Sequence, residues 1–317
     1  MNFSQTYTDA TLQPIVQSNV QGLIKVPVSA LNALDPAWPQ EMRNQILAEK
    51  YRAVTYQDAL VTGNAFIDPQ TGHIHLKTKR NLATFKGFVF EALVARQFRE
   101  DPIVKGKRGF AWCTQRSFGH ITDDFIYQYV AYVSGDKSLE AQELTSILYN
   151  TSSPFDVGFY RRNEQGQAEV AMLVGQQVAA GIQVKAILGN ELPEIIKKMI
   201  TGRYRHVLTM LKYPNGQHSY EVCMNMLHSL FRKGDITGEQ FQNLTGRLNY
   251  PQALGIDQQM IDEYSYYLDQ IYSQGGNFIP EIYEAVSLEA GIQLVESQRS
   301  ILVPTQQPIV TNGISIQ

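Results

Sequence analysis

The chain of 317 residues has little cysteine: only Cys113 and Cys223, each without a nearby partner. That argues against a disulfide framework and against a Cys-based zinc site, and it suits a reducing, cytoplasmic setting. Long apolar runs are also absent. No stretch approaches the 18 residues that a membrane-crossing helix needs. The opening Met1-Asn2-Phe3-Ser4-Gln5-Thr6 has no basic region leading into an apolar one, so no secretory leader is expected. There is no phosphate-binding P-loop, no dinucleotide-binding glycine fingerprint and no Gly-x-Ser-x-Gly nucleophile elbow. What remains, at 44% hydrophobic and 18% charged residues, is the make-up of a soluble globular protein long enough for two domains or one elaborated domain.

The net charge of −3 is unevenly spread. Residues 1–75 carry 4 basic and 6 acidic side chains, residues 76–212 carry 19 and 13, and residues 213–317 carry 4 and 11. The excess positive charge therefore sits in the middle of the chain, where attraction to a polyanion such as nucleic acid would be local. Ordinary variation in surface charge would account for the same totals.

Spacing along the chain divides it into four parts. Residues 1–80 form an N-terminal extension. Its first 55 residues read as irregular or helical, punctuated by Pro14, Pro27, Pro36 and Pro39, and a β-hairpin follows at 64–77 around Asp68-Pro69-Gln70-Thr71-Gly72. Residues 81–225 read as helix (82–99), strand (109–118), helices (121–134 and 139–149), strand (155–160), an undecided segment (170–174), strand (181–187), helix (192–200), and a strand pair (207–212 and 220–224) around Tyr213-Pro214-Asn215-Gly216. Residues 226–302 predict an acidic helical subdomain with helices at 238–248, 257–272 and 280–299. Residues 303–317 read as a flexible tail. The fold class is α/β, a mixed sheet flanked by helices.

Three polar clusters stand out in apolar surroundings: Lys86-Gly87-x-x-x-Glu91 on a helix, Pro154-Phe155-Asp156 entering a strand, and Gly181-Ile182-Gln183-Val184-Lys185 on a strand. Charged and amide groups in such settings are costly to bury without a partner. Phosphodiester hydrolysis needs a nucleophilic water at neutral pH and a counter to developing negative charge. Mg²⁺ supplies both and is held by one or two carboxylates with other oxygen donors. Glu91 and Asp156 provide carboxylates. The period-2 geometry of a strand puts Gln183 and Lys185 on one face, an amide oxygen for the metal and an ammonium for the attacking water or transition-state charge.

These residues resemble the PD-(D/E)xK nuclease superfamily, and the Gln183-x-Lys185 ending is most similar to its Mrr-like restriction endonuclease branch. The resemblance covers roughly residues 82–225. It implies a restriction-endonuclease-like αβββαβ core, Mg²⁺ as cofactor with Mn²⁺ as a possible substitute, and a catalytic set of Glu91, Asp156, Gln183 and Lys185, of which Asp156, Gln183 and Glu91 would hold metal. It also implies a nucleic-acid partner, DNA before RNA, and a possible homodimer with no membrane partner. Two features depart from the common pattern. Gln183 stands where an acid is usual, and the 27 residues between Asp156 and Gln183 demand an insertion near 163–178.

Simpler readings compete at each position. Glu91 could lie on the solvated side of its helix, Asp156 could cap a turn, and Lys185 could extend from a strand edge into water. Arg161, Arg162, Lys197, Lys198, Arg203 and Arg205 are candidate phosphate contacts, since residues 195–220 hold five Lys or Arg and no acid. His73 and His75 would share a strand face without a third ligand. Asp123 and Asp124 suit a helix start after Thr122, or with His120 a different metal site. Glu169 would serve as the site acid if the strand register differed. Tyr264, Tyr266, Tyr267 and Tyr272 have the helical spacing of core or interface groups. A protein that kept a nuclease-like fold for binding or assembly is the rival from another class.

Overall fold

The computed structural model describes residues 6–9, 12–18, 23–27, 51–52, 54–67, 74–77, 81–137, 154–273, 300–304, 309–311 and 314–316. They fall into two compact units. One comprises 58–64 and 80–265, the other 1–57, 65–79 and 266–317.

The first unit is built on a helix, α1 (Leu82–Glu100). It starts where the Asn81 side chain accepts a hydrogen bond from the Thr84 amide at 2.9 Å, satisfying one of the free N–H groups of the first turn. Phe85, Val89, Phe90, Leu93, Val94 and Phe98 are buried, each worth about 1.5–3 kcal/mol of apolar transfer. A π-turn at Pro102–Gly106 leads into α2 (Lys107–Thr114). Then come β1 (Val130–Val133), β2 (Val157–Arg162), β3 (Ala168–Val170), β4 (Gly181–Lys185), α3 (Lys197–Ile200), β5 (Val207–Thr209), α4 (Ser219–Lys233), α5 (Gly238–Gly246), β6 (Leu248–Asn249) and α6 (Gln258–Ser273).

The strands form a mixed six-stranded sheet in the order β6-β5-β4-β2-β1, with β3 added to β2. β1 and β2 are antiparallel, as are β2 and β4, whereas β4, β5 and β6 run parallel. α1 packs across β1, β2 and β4, and Arg99 donates to the Ala131 carbonyl at 2.7 Å. Ile195, Ile196, Met199, Val207, Cys223, Leu227, Leu244 and Leu248 form one apolar cluster that joins α3, α4 and α5 to β5 and β6. The protein is thus α/β, and no helix among the described residues is long and apolar enough to cross a membrane.

The second unit holds a four-stranded antiparallel sheet of Thr6–Asp9, Leu12–Ser18, Leu23–Pro27 and Ser300–Pro304. It also holds the hairpins Ala65–Ile67 with Ile74–Leu76, and Ile309–Thr311 with Ile314–Ile316.

The 64–77 hairpin and the helix from Leu82 match the sequence reading. Several other expectations need correction. The described residues among the first 55 include three strands. Pro14 lies inside one of them, opposite a register shift between Tyr7 and Asp9 where its missing N–H is tolerated. Residues 109–118 are largely helical rather than a strand. Phe110, Ala111, Cys113 and Thr114 are buried at helical spacing, and the Thr114 hydroxyl donates to the Phe110 carbonyl at 2.6 Å. Residues 121–134 hold a single helical turn, Asp123–Ile126, before the chain enters β1. Residues 220–224 begin α4, because His218 and Glu221 form a capping box around its first turn. The segment 303–317 contains strand residues. The helices expected at 139–149 and 280–299 lie outside the described residues.

Candidate active site

β2 and β4 are paired only at Val157–Ile182 and Gly158–Gly181, after which the strands separate. The Val184 N–H then has no strand partner on that side, and the Asp156 Oδ2 accepts its hydrogen bond at 2.8 Å. Gln183 donates its side-chain amide to the same oxygen. Lys185 Nζ stands 4.0 Å from it, both side chains being 17% exposed. The backbone of Asp156 is held from both sides. Its N–H donates to the Ile182 carbonyl at 3.0 Å, and its carbonyl accepts from the Ser134 N–H at 2.7 Å. Three of the four residues singled out in the sequence therefore meet where two strands diverge.

Glycine has a steric role here. Gly158 and Gly181 are register partners, and the Phe155 ring lies against both. A Cβ at Gly181 would fall 2.3 Å from Phe155 Cγ, and one at Gly158 would fall 2.7 Å from Phe155 Cε2. Phe155 precedes Asp156, so the glycine pair seats the carboxylate. Gly181→Ala is expected to cost about 1–3 kcal/mol by overpacking. Urea unfolding of wild type and variant checks this.

Burial raises the Asp156 carboxyl above the usual carboxylate range, against the opposing pull of the Lys185 charge, the Val184 N–H and the Gln183 amide. Asp156 Oδ1 and Gln183 Oε1 accept no hydrogen bond among the described residues. They offer one carboxylate and one amide oxygen, a donor set suited to a hard cation that keeps waters in its shell. No group of three or more His, Cys, Asp or Glu able to hold a metal occurs among the described residues.

Glu91 lies half-buried on α1, and the groups that meet at Asp156 Oδ2 are Gln183, Val184 and Lys185. The long interval before Gln183 is taken up by β3, which pairs with the far end of β2 through a turn at Asn163–Gly166. Glu169, on β3, binds Arg161 at 3.1 Å and Asn163 at 3.1 Å, away from Asp156. Arg162 donates to the Gly166 carbonyl at 3.1 Å. These arginines occupy the end of β2 opposite Asp156, about 17–20 Å along the strand at ~3.3 Å per residue. Lys197, Lys198, Arg203 and Arg205 lie on α3 or between it and β5. Asp123 and Asp124 occupy the first turn of their short helix, capped by Thr122, and Asp123 pairs with Lys107 at 3.2 Å. Tyr264 is buried, Tyr266 is 59% exposed, and Tyr267 stacks on Tyr51. His75 stacks on Phe66, and His73 lies outside the described residues.

Sequence reasoning passed over Tyr204 and His206. The Tyr204 ring lies 4.8 Å from Lys185 Nζ. The His206 carbonyl accepts from the Gln183 N–H at 2.8 Å, and its imidazole is buried edge-on to Trp112. Burial, then the charges of Arg247 and Arg205, lower its pKa from 6.5 to about 4. A histidine depressed in the fold binds more protons when unfolded. It therefore contributes stability that is complete above pH 6.5 and lost as pH falls towards 4, at most roughly 3 kcal/mol. Thermal melts of wild type across this range should fall towards acid, and those of His206→Gln should fall less.

Comparisons with protein-family models, curated proteins and solved structures find no match to this chain.

Proposed function

We propose that this protein is a metal-dependent endonuclease that hydrolyses phosphodiester bonds of nucleic acid, DNA in preference to RNA. The observation that carries this reading is the convergence of Asp156, Gln183 and Lys185 where β2 and β4 part. The order α1-β1-β2-β4-α3-β5, with two antiparallel pairings followed by a parallel one, supports a restriction-endonuclease-like αβββαβ core, with β3 as an inserted arm. The excess of basic residues in 76–212 supports a polyanionic substrate.

In this reading Asp156 and Gln183 hold the metal through oxygen, with Glu91 as the helix carboxylate. Bound Mg²⁺ supplies Lewis acidity and lowers the pKa of water. Lys185 donates a hydrogen bond that orients the attacking water and offsets charge developing on the phosphoryl oxygens. Asp156 also holds the Lys185 ammonium in place. Its carboxyl must ionise to bind a cation, and it is raised by burial, so cleavage rises with pH across a window above the ordinary aspartate range.

A second reading has a specific observation in its favour. The Gln183 amide already donates to Asp156 Oδ2, as it would in a protein that kept this fold only to bind nucleic acid or to assemble. Supercoiled plasmid and a structured RNA incubated with Mg²⁺, Mn²⁺ or EDTA separate the two. Cutting that requires metal is expected of the nuclease, with plasmid cut faster than RNA. Binding that is equal in EDTA, with no cutting under any condition, would favour the scaffold.

A further inference from the structure

Tyr204 lies just beyond α3, is 9% exposed, and belongs to the apolar cluster under that helix. Its backbone N–H donates to the Lys198 carbonyl at 3.1 Å, which ties the turn to the end of α3. Three cations gather on its ring. Lys185 Nζ is 4.8 Å from the centroid, Lys198 Nζ 5.5 Å, and the Arg203 guanidinium carbon 6.0 Å. Aromatic faces attract cations, but three like charges around one ring repel one another. Lys198 is paired with Glu194, and that carboxyl is held below its ordinary range by the hydrogen bond from Lys198 and also by the charges of Lys185 and Arg203. Lys185 also faces Asp156, and Arg203 is exposed. Three cations against two carboxylates leave the cluster net positive, which suits an anion that arrives from solution.

Resting on the nucleic-acid reading above, we propose that Tyr204 is the positioning residue of a phosphate-gripping platform, in which Lys198 and Arg203 hold the backbone phosphates flanking the one that Lys185 faces. The ring fixes the cations, and the phosphates neutralise them. Grip of this kind is independent of base sequence, because phosphate contacts set register and do not read bases. It also distinguishes among the basic residues of the chain. Arg161 and Arg162 are held by Glu169 and the Gly166 carbonyl at the far end of β2, away from this ring.

The test is binding of a fluorescent DNA duplex followed by anisotropy in EDTA over a range of salt concentrations, so that it does not depend on cleavage. Lys198→Ala and Arg203→Ala should each flatten the slope of log Kobs against log salt by about 0.9, the loss of one phosphate contact. Tyr204→Phe keeps the ring face and loses only the hydroxyl that interacts with Lys198, so it should bind closer to wild type than Tyr204→Leu, which should weaken binding although all three cations remain. Unchanged slopes in both alanine variants, wild-type binding by Tyr204→Leu, or no binding by wild type would each overturn the platform. Should Tyr204→Leu not fold, the two alanine variants decide. Cleavage of plasmid is measured alongside. Cutting with unchanged slopes removes the platform and leaves the nuclease, while reduced slopes without cutting remove the nuclease and leave the platform.

Discussion

Asp156→Asn is expected to abolish cleavage and at the same time to raise the melting temperature. The loss should be about 10³-fold or more, equivalent to roughly 4 kcal/mol of transition-state stabilisation, because the variant removes the carboxylate that would hold the metal. The gain in stability follows from the sign of the pKa shift. Burial holds the Asp156 carboxyl above its unfolded value, so the folded state binds the extra proton and stability falls as pH rises through that window. At neutral pH the ionised group is a burden on the fold, and asparagine lifts it while still accepting from the Val184 N–H. Each 1 kcal/mol recovered would move Tm by about 2–4 °C in a unit of this size. A merely structural aspartate would give the opposite sign, with Asp156→Asn melting lower than wild type. Calorimetry and a cleavage assay on one preparation check both halves.

The second large effect concerns stability alone. Asp58 accepts from Arg96 Nε at 3.1 Å, from Arg96 Nη2 at 3.0 Å and from the Tyr264 hydroxyl at 2.8 Å, and the pair is almost wholly buried. Arg96 also reaches Glu100 at 3.2 Å. Removing the cation leaves a buried carboxylate without its counter-charge, so Arg96→Met is expected to cost about 3–5 kcal/mol. Burial already raises the Asp58 carboxyl despite Arg96, and without the arginine it rises further. The damage from Arg96→Met should therefore be smaller in acid, where Asp58 is protonated, than at neutral pH. Asp58→Asn combined with Arg96→Met should cost less than the two changes summed. Urea unfolding at two pH values and a double-mutant cycle measure this, and purely additive losses would contradict the pairing.

How far this was legible in the sequence depended on the range of the interactions. Gln183 and Lys185 could be placed on one strand face because a strand alternates every two residues, and Asp156 because Val157–Tyr160 is β-branched and aromatic. The interval between Asp156 and Gln183 asked for an insertion, and β3 fills it. Local patterns misled where a cap outweighed alternation. Tyr220–Met224 alternates like a strand, yet the His218–Glu221 box starts a helix there, with His218 in a position usually held by Ser, Thr, Asp or Asn. Phe110–Thr114 reads as a strand because its apolar residues are nearly continuous, yet it is helical, and period alone does not decide such runs. The Asp58–Arg96 pair spans 38 positions, and the slot for Phe155 depends on Gly158 meeting Gly181 across two strands. The gathering of Lys185, Lys198 and Arg203 on Tyr204 likewise arises only when β4 and the end of α3 are brought together. No sequence period encodes such contacts.

The most direct test of the central claim is plasmid cleavage by wild type and by Lys185→Ala, purified in parallel, with Mg²⁺ and with EDTA. Lys185 is partly exposed beside Asp156, so its removal should leave the fold intact, as circular dichroism would verify. Metal-dependent nicking by wild type, reduced about 10²-fold or more in the variant, is the expected result. Equal cutting by the two proteins, or none by wild type with Mg²⁺, would contradict a catalytic centre at Asp156, Gln183 and Lys185.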